Sequence, residues 1–355
     1  MTSHTELQNA VEEFVAAGFA GLQMRVSDEH GDWAGSAGIS RLGEASRPPT
    51  DGRFWAGSVA KTFTATVVLQ LAAEQALDLD APVTEHLAHP GLDKRITARM
   101  LLRHTSGLFN YTGEYLPDGT IVPGIPATGK DWVDARLRGY QPQELVELAL
   151  SRPARFEPGA DWSYSNTNYT LAALLIEEVT GGSYGDQMRR RILEPLGLRD
   201  TVLDGDVTDL PEPHAHGYYR FQDGGEWKVV DVSRQNLSML LGAGGAISTT
   251  RDLHVFFAAL NSGRLLPAPQ LAEMREPHGP IGYGLGLFVQ ELGPGITVYH
   301  HNGGAPGGYG ALMYSTPDGG KTLTAGLTMG DAAVDPAEVF PQALDALVRV
   351  VFTGR

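Results

Sequence analysis

Residues 54–71 read Phe-Trp-Ala-Gly-Ser58-Val-Ala-Lys61-Thr-Phe-Thr-Ala-Thr-Val-Val-Leu-Gln-Leu. An apolar run breaks at Gly57 and a helical pattern begins at Ser58. Val59, Phe63, Val67 and Leu71 recur at helical spacing, which predicts a helix with one buried stripe. Ser58 and Lys61 are three apart, so a helix puts them on one side, a turn from each other. A serine hydroxyl is a poor nucleophile until its proton is taken, and a lysine one turn away takes it only after losing its own charge. A helix N-terminus helps twice: its positive end disfavours a second cation, and its free N–H groups hold an oxyanion. The bland reading of the same residues is a serine cap followed by a surface lysine. Composition weighs against it. Only five of the 27 basic residues are lysines (Lys61, Lys94, Lys130, Lys228, Lys321). Arginine cannot be deprotonated in a protein, so a lysine where a base is wanted is informative. None of the other four lysines has a serine three residues before it.

At 355 residues the chain can bury a large core, and 42% apolar with 19% charged residues is ordinary for a globular protein. A net charge of −15 argues against nucleic acid or anionic membrane as a partner. With no cysteine, disulfides, thiol catalysis and thiolate metal sites are excluded. Early acidic residues (Glu6, Glu12, Glu13) and helical spacing of Val11, Phe14 and Val15 do not suit a secretory signal, and no run approaches a membrane span. The expectation is a cytoplasmic chain, unless an export segment precedes it.

In chain order, residues 5–17 read as an amphipathic helix, followed by strands at 18–26 and 32–39 joined through Asp28-Glu29-His30-Gly31. Residues 40–53 are a Gly- and Pro-rich loop, and Leu77-Asp-Leu-Asp-Ala-Pro82 stops the Ser58 helix. Met100-Leu-Leu-Arg-His104-Thr-Ser-Gly107 ends a second helix, with His104 read as a structural hydrogen bonder rather than a base. Residues 109–141 are irregular and aromatic, a candidate pocket wall. Residues 142–150 are a helix with proline in its first turn. Tyr164 and Asn166 precede an apolar helix from Leu171 to Val179. Extended geometry points both side chains to one side; the alternative is a turn in which Asn166 or Thr167 caps the helix.

Residues 200–235 read as loop-rich. His214-Ala-His216 has a spacing that suits a metal, but no carboxylate or third histidine stands at motif spacing, so a polar loop and no metal are expected. Residues 242–252 are a glycine turn in which Thr249 and Asp252 look like a capping box for a helix to Asn261. Strands at 283–291, 296–301, 309–315 and 321–329 read as an antiparallel meander. Within it His300-His301-Asn302-Gly303-Gly304 offers glycines where another backbone, such as a substrate, comes close. A helix over about 337–352 closes the chain.

Taken together, Ser58-Val-Ala-Lys61, Tyr164-Ser-Asn166 and His301-Asn302-Gly303 resemble the three motifs of the serine β-lactamase and penicillin-binding-protein superfamily, in order and at about its spacing. The closest likeness is to the class-C-type branch of soluble D-Ala-D-Ala carboxypeptidases, D-aminopeptidases and related esterases. His104-Thr-Ser-Gly, Glu157-Pro-Gly, Ser248-Thr-Thr-Arg-Asp-Leu and Tyr283-Gly-Leu-Gly-Leu add to it. The resemblance implies an α/β fold of β-lactamase/transpeptidase type, an antiparallel sheet flanked by helices. It also implies an α/β lobe from residues 1–76 and 241–355, a mostly helical lobe inserted at 77–240, and an active site at their seam. Ser58 would be the nucleophile. Lys61 would accept its proton or hold Tyr164 as phenolate, and Tyr164 would pass the proton to the leaving group. Asn166 would orient Lys61 and the substrate amide, and His301, where many relatives have lysine, would tune Tyr164. The N–H groups of Ser58 and Gly304 would form the oxyanion hole.

Two departures concern substrate. Where the carboxypeptidases of this branch bind a terminal carboxylate with arginine and a hydroxyl residue, this chain has Phe288 and Asn302. Without a bidentate cation, recognition of a free carboxylate weakens. The resemblance with these departures implies a cofactor-free, metal-free acyl-enzyme hydrolase or transacylase for a D-amino-acid peptide, amide or ester. D-Ala-D-Ala carboxypeptidase or β-lactamase is the alternative, and a non-catalytic β-lactam- or peptide-binding protein a remote one. The expected partner is a small molecule or short peptide; oligomeric state stays open.

Overall fold

The protein is described by a computed structural model covering residues 2–116, 119–205, 207–279, 281–332 and 335–354. The chain begins with α1 (His4–Ala16), the hairpin β1 (Gly21–Asp28) and β2 (Gly31–Gly38), the short β3 (Phe54–Trp55) and α2 (Ala60–Ala73). Then come α3 (Ala98–Arg103), the small hairpin β4 (Glu114–Tyr115) and β5 (Ile121–Val122), α4 (Gly129–Ala135), α5 (Pro142–Leu150) and α6 (Asn166–Thr180). Next, α7 (Tyr184–Met188) runs through a π turn into α8 (Glu194–Leu196), and a hairpin of β6 (Tyr218–Asp223) and β7 (Glu226–Asp231) follows. The last part holds β8 (Ile247–Ser248), α9 (Thr250–Asn261), α10 (Ala268–Arg275), β9 (Phe288–Gly293), β10 (Ile296–His300), β11 (Gly303–Ala305), β12 (Tyr309–Ser315), β13 (Thr322–Thr328) and α11 (Pro336–Thr353).

Among the described residues, seven strands make one antiparallel sheet in the order β2-β1-β13-β12-β10-β9, with β11 beside β12. Alternation along each strand assigns its two faces. On β12, Leu312 and Tyr314 pack with Val11 and Phe14 of α1 and with Leu347 and Val351 of α11. Ala311 and Met313 join the opposite cluster, which includes Phe63 of α2, Leu175 of α6 and Phe256 of α9. This is the α/β β-lactamase-like architecture, an antiparallel sheet flanked by helices. Local signals start it well: Ser3 and Glu6 form a reciprocal capping box on α1, and Asp28 accepts from the His30 N–H in the first hairpin turn.

The helix behind Ser58 differs from a one-stripe amphipathic helix. Every residue from Ala60 to Leu69 is buried, because α6, α7 and α10 all pack against it. The threonines that look like a polar face are internal and bonded. Thr62 Oγ1 donates to the Gly286 carbonyl at 2.7 Å and Thr64 Oγ1 to the Gly242 carbonyl at 2.7 Å. Buried hydroxyls with partners cost little, so the polar spacing does not mark solvent.

Other boundaries move for identifiable reasons. Residues 109–141 are not wholly irregular, since they hold β4, β5 and α4; residues 117–118 and the Tyr115 side chain lie outside the described parts. Residues 200–235 contain the β6–β7 hairpin, whose Gly224-Gly225 turn has φ of 61° and 87°, as a two-residue hairpin turn demands. The strand expected from 283 begins at Phe288. Before it, Gly286 (φ 85°) presses onto α2, where an added Cβ would stand 2.4 Å from the Ala65 Cβ. The box on α9 is half formed: Thr249 caps the Asp252 N–H, while the Asp252 carboxylate turns to Asp200 N and Thr201.

Gly286→Ala should therefore cost about 3 kcal/mol or more, combining overpacking with left-handed strain. Gly224→Ala, equally left-handed but in open space, should cost only about 1–2 kcal/mol. Urea denaturation of both variants checks this; equal costs would mean that α2 has room to yield.

Candidate active site

Ser58 lies in a 3₁₀ turn, Gly57–Val59, that precedes α2 rather than in the helix itself. The turn is pinned from two sides. β3 pairs with β8, so the chain arrives from the sheet region at Ala56. β11 then runs directly against the turn. A Cβ on Gly303 would be 1.8 Å from the Ala56 carbonyl oxygen and 3.1 Å from the Ser58 nitrogen. A Cβ on Gly57, which has φ 55°, would meet the Gly304 carbonyl at 2.5 Å. Glycine at these positions is what lets the His301-Asn302-Gly303 segment reach the serine.

Lys61 is fully buried. Its Nζ stands 3.1 Å from Ser58 Oγ, 2.8 Å from Asn166 Oδ1 and 2.6 Å from the Ala243 carbonyl. All three partners are neutral, so nothing in this trio compensates a buried positive charge, and burial holds the ammonium well below the ordinary lysine range. An amine has two N–H groups and one lone pair. In that uncharged form Asn166 and Ala243 would accept the two N–H groups, leaving the lone pair for the Ser58 hydroxyl. Once protonated, the same nitrogen has three donors for the same three acceptors.

Tyr164 neighbours Ser58, and its ring centroid lies 4.7 Å from Lys61 Nζ. Burial raises the phenol above its ordinary range, opposed by the neighbouring Ser58 hydroxyl. Asn166 is the first residue of α6 and caps nothing with its side chain. Its Oδ1 holds Lys61, its Nδ2 donates to Thr112 Oγ1 at 3.1 Å, and its N–H donates to Asn110 Oδ1 at 3.1 Å. Ser58, Lys61, Tyr164 and Asn166 are thus brought together, with Gly303 and Gly304 against the serine turn.

His301 is placed differently from a group acting directly on Tyr164. Its Nδ1 donates to the Asn302 carbonyl at 2.8 Å, so Nε2 is the acceptor, and that nitrogen faces the Tyr283 hydroxyl at 3.2 Å. Neither ring nitrogen is left for Tyr164. Burial pushes His301 down to about 3. It is a neutral group at working pH and does not replace a lysine charge. Asn302 Nδ2 donates to the Tyr314 hydroxyl at 3.0 Å. Phe288 belongs to an aromatic column across the sheet, stacked on His300 at 5.1 Å, which stacks on Tyr314 at 4.5 Å. Arg220 of β6 stacks on Trp227, and Arg234 pairs with Asp209 at 2.5 Å.

Sequence reasoning misses four contributors. Thr112 and Asn110 carry no motif, although the irregular aromatic stretch that holds them was marked as a wall. Ala243 acts through its carbonyl, so only the surrounding glycine turn signals it. Tyr283 lies in Tyr283-Gly-Leu-Gly-Leu, where a tyrosine among glycines was the available sign. A cavity of about 520 Å³ beside this wall is lined by Phe109, Val122, Phe156 and Trp162, with the ion pair of buried Glu114 and half-buried Arg155 in it. Away from the site, Glu212 joins His214 and His216 within 4.8 Å. His216 is already engaged, with Nδ1 on Asp231 at 2.6 Å and Nε2 accepting from Arg41 at 2.8 Å.

Several known proteins are similar. A D-stereospecific amidohydrolase from Streptomyces sp. superposes with a TM-score of 0.85 at 36% identity, covering 99% of both chains. The D-amino acid amidase of Ochrobactrum anthropi SV3, solved with D-phenylalanine, gives 0.82 at 26% identity over 98% of both. Penicillin-binding protein 4* of Bacillus subtilis (strain 168) is 28% identical over 303 residues, which is 81% of this chain and 63% of that relative's length. The Beta-lactamase family model matches residues 7–346. That span takes in all three motifs and nearly every element of the fold, and this chain belongs to the Beta-lactamase family, in the superfamily of serine β-lactamases and penicillin-binding proteins.

Proposed function

We propose that this protein hydrolyses D-amino-acid amides, short peptides or esters through a covalent acyl-enzyme on Ser58. The observation that carries the proposal is the buried Lys61 nitrogen, held by Asn166 Oδ1 at 2.8 Å and the Ala243 carbonyl at 2.6 Å with Ser58 Oγ 3.1 Å away. Both shifts favour the neutral pair, lysine down and Tyr164 up, so Lys61 rather than a phenolate is the first base.

In acylation, Lys61 takes the Ser58 proton as Oγ attacks the acyl carbonyl. The oxyanion rests on the N–H groups of Ser58 and Gly304. As the C–N or C–O bond breaks, the proton passes from Lys61 through the Tyr164 hydroxyl to the departing amine or alcohol. In deacylation a water oxygen attacks the acyl carbon as its proton passes through Tyr164 to Lys61; the acyl–Oγ bond then breaks, the carboxylic acid leaves, and Lys61 returns the proton to Ser58 Oγ. Atoms and charge balance without a metal or cofactor. Asn166 keeps Lys61 aimed throughout.

Substrate class rests on two supports. The amidohydrolase and amidase named above match this chain end to end, and their names state D-stereospecific or D-amino-acid amide chemistry. Where the resemblance would put an arginine for a substrate carboxylate, this chain has Phe288, stacked on His300, and Arg220 and Arg234 are engaged elsewhere. A neutral-ended acyl donor suits that surface better than a free carboxylate.

Ser58→Ala should lose all covalent labelling by a fluorophosphonate; a stoichiometric adduct in intact-mass spectra would place the nucleophile elsewhere. Lys61→Arg should be nearly as inactive as Lys61→Ala, because the charge stays but the base is lost. Retention of more than about a tenth of wild-type kcat, a barrier change of only ~1.4 kcal/mol, would make Lys61 a fixed charge instead. On substrate, a peptide capped as C-terminal amide or methyl ester should beat its free acid about ten- to hundredfold in kcat/KM, the worth of an absent Arg–carboxylate contact. Phe288→Arg should narrow or reverse that preference. Equal cleavage of free and capped forms by the wild type would return carboxypeptidase activity to first place.

A further inference from the structure

His104 ends α3 in the left-handed conformation, φ 62° and ψ 37°, which is uncommon for a residue with a side chain. It is fully buried. Its carbonyl accepts from the Ser163 N–H at 3.0 Å, and its Nδ1 accepts from the Ser165 N–H at 3.2 Å. One residue therefore holds the two peptide N–H groups on either side of Tyr164. Its ring also lies against the Tyr164 ring, with centroids 4.4 Å apart and planes at 34°. We infer that His104 is a positioning residue for Tyr164, a clamp that sets where the phenol proton is delivered.

The surroundings fix its chemical form. A backbone N–H can only donate, so Nδ1 carries no proton. Asn168 Nδ2 donates to the same nitrogen at 3.1 Å, and Asn168 is itself held because its Oδ1 accepts from Ser106 Oγ at 2.5 Å. The proton is thus on Nε2, which has no acceptor among the described residues and is ringed by Trp162, Tyr169 and Tyr283. A charged imidazole would turn an N–H toward two donors. Burial holds the ring well below its ordinary range, in keeping with a permanently neutral acceptor. The left-handed turn is what lets carbonyl and side chain of one residue reach the same segment.

This inference rests on the reading of Tyr164 as the proton donor to the leaving group, and the test separates the two. Asparagine and glycine both tolerate a left-handed backbone. His104→Asn keeps an acceptor where Nδ1 stands, and His104→Gly removes it. Turnover is measured on a D-amino-acid p-nitrophenyl ester, whose leaving group departs unprotonated, and on the least activated ester or amide of the same acyl group that the wild type hydrolyses. The ratio of the two is independent of how much enzyme is folded. The clamp predicts that His104→Gly lowers turnover of the poor leaving group at least about tenfold more than that of the activated ester, the scale of a misplaced catalytic group. His104→Asn should keep the ratio within about threefold. Tyr164→Phe should shift the ratio in the same direction and further. If the ratio shifts in Tyr164→Phe but stays flat in His104→Gly, the clamp is wrong and the proton-donor reading stands. If it stays flat in Tyr164→Phe, both are wrong. An Asn variant as altered as the Gly variant would also overturn the clamp. Should His104→Gly fail to accumulate, His104→Leu, which fills the space without an acceptor, carries the same comparison.

Discussion

A lysine nitrogen inside the protein, bonded only to neutral oxygens, is the constraint on which the rest of this structure depends. Placing Lys61 there is unfavourable for its charged form, and the fold supplies what makes the uncharged form stable. α2 is packed on every side, so the side chain cannot swing to solvent. Asn166 and the Ala243 carbonyl take its hydrogens. Gly286, with its left-handed backbone, lets the following loop close over α2 beside the Lys61 carbonyl. Gly303 and Gly57 let β11 lie against the serine turn. Each of these features is modest alone; together they leave the Ser58 hydroxyl as the partner for the lone pair.

The same physics extends to the neighbours. Tyr164 is held as phenol, so the two side chains that would move protons carry little formal charge at rest, and the neighbouring His301 is a neutral imidazole. A site of that kind works through aimed dipoles and proton transfer rather than through a fixed cation. Phe288 sits in an aromatic column, and the proposed preference for uncharged substrate ends would fit the same economy of charge.

Much of this was legible in the chain. Ser58, Lys61, Tyr164 and Asn166 stand in motifs whose spacing survives folding, and the glycines beside His301 announce close backbone approach. What was not legible is long-range or depends on burial. The threonines of α2 look like a solvent face in one dimension, yet their hydroxyls bond to the carbonyls of Gly242 and Gly286 from distant parts of the chain. His301 looked like a group for Tyr164, but its nitrogens are spent on Asn302 and Tyr283, and spacing cannot say where a ring points. Gly224-Gly225 could have revealed the β6–β7 hairpin from its turn chemistry alone, since alternating residues flank it. A backbone acceptor such as Ala243 leaves no mark of its own.

The central claim, that Lys61 is an amine poised to deprotonate Ser58, is tested most directly by the pH dependence of Ser58 inactivation by an uncharged fluorophosphonate. A protonated lysine cannot accept the serine proton, so the rate must fall as pH drops through the Lys61 ionisation. Because burial lowers that ionisation, the account predicts a rate that is already at its plateau well below the ordinary lysine value of 10.5. A rate that climbs only on approaching that value would show an ordinary ammonium at Lys61, and would contradict the account.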